Sequence, residues 1–114
     1  MSEKQTNIQF NVALDENQIP STITWKASDN DETGACDAAF LTIWDSNEKN
    51  TLRIDLWTKD MTIDDMKIFF HQMMLSMSDT YKRATGDEAV SKDMKEFAFA
   101  MGEKFLIEET MIFH

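Results

Sequence analysis

Apolar and polar residues alternate from Ile8 to Leu14, with Ile8, Phe10, Val12 and Leu14 set against Gln9, Asn11 and Ala13. A period of two sends successive side chains to opposite faces, so this run predicts a strand with one buried face. Asp15 to Pro20 is rich in turn formers, and Pro20 suits a strand entrance, where its missing N–H does little harm. A second strand is predicted from about Ser21 to Ala27. Setting Leu14 opposite Ser21 aligns Val12 with Ile23, Phe10 with Trp25 and Ile8 with Ala27, which keeps every large apolar residue on one face. Ser28 to Cys36 (SDNDETGAC) is polar, acidic and contains Gly34, and reads as a loop. A third strand follows from about Ala38 to Asp45, then a short turn at Asn47–Asn50 and a fourth strand, Thr51–Thr58. Aligning Ile43 with Ile54 and Leu41 with Leu56 gives an aliphatic core side. The opposite side then carries Phe40 beside Trp57, Thr42 beside Asp55, and Trp44 beside Arg53.

After Lys59 and Asp60 the period changes. Ile63, Met66, Phe70, Met73, Met74, Met77 and Tyr81 recur at spacings of three and four. Thr62 is placed to cap a helix, Asp64 and Asp65 complement its positive end, and Lys82, Arg83 and Gly86 mark its close. Asp87 caps a second helix, whose apolar stripe is Val90, Met94, Phe97, Met101 and Phe105. The closing EETMIFH fits neither pattern. Strands followed by helices, with connections too short for parallel crossovers, predict an α+β fold. The expected architecture is a four-stranded antiparallel meander followed by two helices packed on one face. Its inner face, with Phe10, Trp25, Ile43, Ile54 and Leu56, is expected to lie on the methionine-rich stripe of the first helix.

A length of 114 residues leaves room for a single domain over 1–114. The hydrophobic content of 42% supplies a core. Twenty-one acidic residues against eleven basic ones give a formal charge of -10, which repels phosphate backbones and anionic headgroups. Nucleic acid and membrane insertion are therefore not expected, and a protein partner is. Cys36 is the single cysteine, and MSEKQTNIQF lacks the basic flank and apolar block of a secretory signal. The expected compartment is the cytoplasm.

Candidate chemistry is sparse. Asp29, Asp31, Thr33 and Gly34 imitate the opening of a calcium-binding EF-hand loop, but Phe40 stands where the closing bidentate Glu belongs. His71 and His114 are far apart and join no Cys/His cluster, so no metal or cofactor is expected. Cys36 has no activating constellation in sequence, and none of the three glycines sits in a phosphate-cradling motif. Most of the nine methionines fall on the predicted helical stripes, where core packing explains them. No catalytic set converges. The outer face of the last two strands is more informative, because Phe40, Trp44, Arg53 and Trp57 gather there and exposed aromatic patches mark interfaces. The competing expectation is that Met111, Ile112 and Phe113 fold over this face as a second small core.

The segments TLRIDLWTKDM (51–61), MKIFFHQ (66–72) and DTYKRATGDE (79–88), with FNVALDENQIP and ITWKASD before them, resemble the gliding-motility-associated GldC family of Bacteroidetes. The resemblance covers nearly the whole chain in order. It implies a small accessory protein of gliding motility, a process coupled to type IX secretion, and brings no catalytic site. The expectation is a noncatalytic interaction module, an adaptor or chaperone, that binds a motility or secretion component or another copy of itself. The alternative is an enzyme or small-ligand-binding protein with a site between sheet and helices.

Overall fold

The computed structural model describes residues 3–29 and 31–105. The chain divides into two compact units, 1–61 and 62–114, and each is described by itself.

Among its described residues the first unit holds five strands: β1 (Ile8–Leu14), β2 (Pro20–Ala27), β3 (Glu32–Cys36), β4 (Ala38–Asp45) and β5 (Asn50–Trp57). They form two antiparallel sheets, β1-β2-β3 and β4-β5, and not the single four-stranded meander the hydropathy pattern predicts. The α+β class holds. The added strand is β3, which lies inside the predicted loop. It pairs with β2 from Ile23 opposite Cys36 to Ala27 opposite Glu32, and Trp25 falls opposite Gly34. A Cβ at Gly34 would lie 2.7 Å from Trp25 Nε1. The bare glycine is what lets the indole lie across β3, in a row with Phe10 on the far side of β2.

Between β1 and β2, Ile8, Phe10 and Val12 face Ala27, Trp25 and Ile23 as expected. Leu14 faces Pro20 instead of Ser21, because the ladder bulges between Ala13 and Leu14. The turn explains the shift. The Asp15 carboxylate accepts from the amides of Asn17 (2.8 Å) and Ile19 (3.0 Å), and Gln18 takes a positive φ of 65°.

β4 and β5 pair two residues away from the expected register, with Leu41 opposite Ile54 and Ile43 opposite Leu52. Asp45 sets this alignment. Its carboxylate accepts from the amide of Asn47 at 2.9 Å, Lys49 adopts φ 53°, and the connection closes over residues 46–49, with Asp45 facing Asn50. A shift of two keeps every side chain on its predicted face. Only Asp37 separates β3 from β4, and its carbonyl accepts from the amide of the buried Thr58 at 2.8 Å. Ile23 is buried at 1% exposure. Ile43 and Ile54, expected in the core, are instead 56% and 52% exposed. Both stand on the part of the two-stranded sheet nearer the 46–49 turn, whereas Leu56, near Ile19 and Pro20, is half-buried.

The described residues of the second unit form a helical hairpin, α1 (Ile63–Thr85) and α2 (Glu88–Phe105). Thr62 Oγ1 accepts from the Asp65 amide at 3.0 Å, and Gly86 closes α1 in the left-handed region at φ 76°, its N–H bound to the Lys82 carbonyl. The Asp87 carboxylate caps α2 by accepting from the Val90 amide at 3.0 Å. The helices meet through small and polar residues. Ser78, Ser91, Ala98 and Gly102 are buried, and Ser91 Oγ donates to the Ser78 carbonyl at 2.7 Å. His71 packs against Gly102, where a Cβ would stand 2.5 Å from Nε2. Lys95 pairs with Asp79 across the hairpin at 3.1 Å. Among the described residues, no helix is long and apolar enough to cross a membrane.

Candidate functional site: the β4–β5 hairpin

Alternation places Phe40, Trp44, Arg53 and Trp57 on one face of the β4–β5 sheet, as the pattern of residues predicts. The opposed pairs differ. Trp44 faces Thr51, Arg53 faces Thr42, Phe40 faces Asp55 and Trp57 faces Ala38. Trp44 and Arg53 are therefore not the directly opposed pair that the expected register makes of them.

Arg53 is held by polar groups instead. Its Nη1 donates to Thr42 Oγ1 at 2.8 Å, its Nη2 to Asp55 Oδ1 at 2.8 Å and its Nε to Asp55 Oδ2 at 3.3 Å. The two-toothed contact with Asp55 fixes the plane of the guanidinium. Half-exposed, the ion pair adds little to stability. It neutralises the middle of the face. Trp44 at the turn end and Trp57 at the far end flank this strip, 62% and 52% exposed, while Phe40 is half-buried. Beside Trp57, a hollow of about 250 Å³ is lined by Ile19, Pro20, Asp55 and Leu56.

The alternation of apolar residues assigns the reverse face to the core, yet Ile43, Leu52 and Ile54 are exposed there. The hairpin thus shows large apolar side chains on both faces toward its turn. Periodicity could not separate the two faces in kind, because an apolar face reads the same whether or not something covers it. Met111, Ile112 and Phe113, the competing cover for the aromatic face, lie outside the described residues.

At the β1–β2 turn, the carboxyl of Asp15 is lowered below its ordinary value. The Ile19 amide is the main cause, followed by Lys59, 3.1 Å away, and the Asn17 amide. This cluster ties the turn to the residues that follow β5. Asp29 pairs with Lys4 at 3.1 Å, and Thr33 and Gly34 belong to β3. Among the described residues no three His, Cys, Asp or Glu side chains are grouped to hold a metal ion. Cys36 is a half-buried free thiol. His71 Nε2 is buried without a hydrogen-bond partner. His114 lies outside the described residues.

Residues 20–107 match the family described as gliding motility-associated protein GldC-like. Nothing among the curated proteins or the solved structures matches the chain. The family match runs from β2 through α2 and contains the whole β4–β5 hairpin with its four face residues. The chain therefore belongs to the GldC-like family of gliding motility-associated proteins.

Proposed function

We propose that the protein is a noncatalytic accessory factor of gliding motility, an adaptor or chaperone that binds a component of the gliding or type IX secretion machinery. The observation that carries this reading is the pair of exposed indoles, Trp44 and Trp57, on either side of the charge-neutral Arg53–Asp55 strip. Trp and Arg are enriched among residues that dominate binding energy. Leaving two indoles in water has no folding benefit, whereas burying them against a partner removes apolar surface from solvent. The formal charge of -10 favours a protein partner over nucleic acid. The family match over residues 20–107 crosses the boundary at residues 61 and 62, which supports reading the two units as parts of one functional domain.

The test is Trp44→Ala combined with Trp57→Ala, used as bait in a gliding cell beside the wild-type chain. Truncating a true anchor costs more than about 2 kcal/mol of binding. The doubly substituted chain keeps its circular dichroism spectrum and loses the motility or secretion component that the wild type captures. Capture at the wild-type level by a folded variant would move the interface elsewhere, and an unfolded variant would make the face a second core.

A further inference from the structure

β1 is an edge of the three-stranded sheet, since the strand order is β1-β2-β3 and no strand pairs with its outer side among the described residues. Edge strands are usually blunted by charge, proline, a bulge or short length. The other edge of the same sheet follows that rule, for β3 has five residues and opens on the charged Glu32. β1 does not. Its seven residues, IQFNVAL, include no charge, proline or glycine, and its one bulge comes at the far end, between Ala13 and Leu14.

The hydrogen bonds of the ladder fix which backbone groups point outward. The Ser28 amide donates to the Asn7 carbonyl at 3.0 Å, and Ser21 Oγ donates to the Ala13 carbonyl at 3.2 Å. Asn7, Gln9, Asn11 and Ala13 therefore turn their N–H and C=O groups toward β2, and the alternate residues Ile8, Phe10 and Val12 turn theirs to the outer side. Helices use such groups internally. The six outer groups of β1 are accordingly satisfied by water or by another strand.

We infer that β1 pairs antiparallel with β1 of a second copy about a two-fold axis at Asn11, joining two three-stranded sheets into one of six strands. Two-fold contact requires a surface complementary to itself, and β1 meets that requirement along its length. Asn11 is its middle residue, so the axis sets Ile8 opposite Leu14, Gln9 opposite Ala13 and Phe10 opposite Val12 of the second copy. Apolar residues meet apolar residues on one face. The outward groups of Phe10 meet those of Val12, which closes hydrogen bonds on both sides of the axis. On the other face Asn11 meets Asn11. A side-chain amide holds both a donor and an acceptor and pairs with its own copy, whereas a charge at this position would repel itself. The polar row is already begun within one chain, where Gln9 Nε2 donates to Asn11 Oδ1 at 3.3 Å. Across the joined sheet, Phe10 lies between Trp25 of its own chain and Val12 of the second copy. β1 precedes residues 20–107, so the inference stands apart from the family match.

Sedimentation equilibrium on the full chain tests the arrangement, with circular dichroism as the folding control. The wild type dimerises with a Kd on the order of tens of micromolar, as a small interface does. Asn11→Lys and Asn11→Asp each weaken the dimer about fivefold, because each sets a like charge against itself at the axis. An equimolar mixture of the two forms a mixed dimer at least as tight as the wild type. Val12→Pro removes one outward N–H from each chain, leaves the β1–β2 hydrogen bonds in place, and weakens the dimer about a hundredfold. The Trp44→Ala, Trp57→Ala chain stays dimeric, which separates this edge from the aromatic face. A monomeric wild type, a dimer lost with the two indoles, self-association of Asn11→Lys at wild-type strength, or a mixture no tighter than its separate components would each overturn the inference. Should Val12→Pro unfold, the Asn11 set decides alone, since that side chain is exposed.

Discussion

The three-stranded sheet and the helical hairpin solve the same packing problem in opposite ways. In β1-β2-β3 a large side chain is accommodated by a missing one, with Trp25 laid over Gly34 and Phe10 beside it. In the hairpin, Ser78, Ser91, Ala98 and Gly102 are buried at the seam, whereas the large apolar residues of both stripes are half-buried or, like Ile63, Met77 and Phe97, exposed. Small residues let the two helix axes approach closely. The difference teaches that a hydrophobic stripe locates surface that must be covered, which in the hairpin is not the surface where the helices touch.

The strand side of this comparison breaks first at Trp25. Trp25→Ala is expected to lower the unfolding free energy by about 2 to 3 kcal/mol, less than a fully buried Trp because this one is half-buried. Gly34→Ala, which adds a Cβ against the rigid indole, is expected to cost about 2 kcal/mol. Urea titrations of both variants check these values. A neutral Gly34→Ala would show that Trp25 does not need the open backbone.

On the helical side the contact to challenge is Gly102 with His71. Alanine at 102 gains about 1 kcal/mol of helix propensity but displaces the half-buried His71 imidazole at its buried Nε2, for a net loss of about 1 kcal/mol. Made in a His71→Ala background, the same substitution becomes stabilising by up to about 1 kcal/mol. A double-mutant cycle by thermal melting reads this change of sign. Independent, additive effects would mean the seam has slack at that point.

The smallest effect is at Asp15. Its folded pKa lies below the unfolded value of about 3.9, so its contribution to stability is present above that value and is lost as pH falls through the folded one. Asp15→Asn is therefore expected to be less stable than the wild type at neutral pH, with the gap closing below about pH 4. Unfolding curves across that range test it, and a gap that persists in acid would assign the loss to turn geometry instead of charge.

The helices were the most legible part of the chain. Thr62, Gly86 and the three- and four-residue spacing mark Ile63–Thr85 because capping and periodicity are local properties. β3 was hidden, since ETGAC is short, polar and interrupted by a glycine whose purpose shows only when Trp25 is placed opposite it. The β4–β5 register was off by two because the Asp45 side chain chooses the loop length. That error leaves faces intact, so the aromatic set Phe40, Trp44, Arg53 and Trp57 was readable while its opposed pairs were not. The helical seam escaped notice for another reason. Its signal is the recurrence of Ser91, Ala98 and Gly102 at spacings of seven and four, and hydrophobicity does not register small residues.

Site-specific photo-crosslinking tests the central claim most directly, with a benzophenone amino acid in place of Trp44 in a gliding cell and, as control, in place of the exposed Thr22 of β2. The account predicts one discrete adduct to a motility or secretion component from position 44 and none from position 22. No adduct at 44, or the same adduct from both positions, would contradict it.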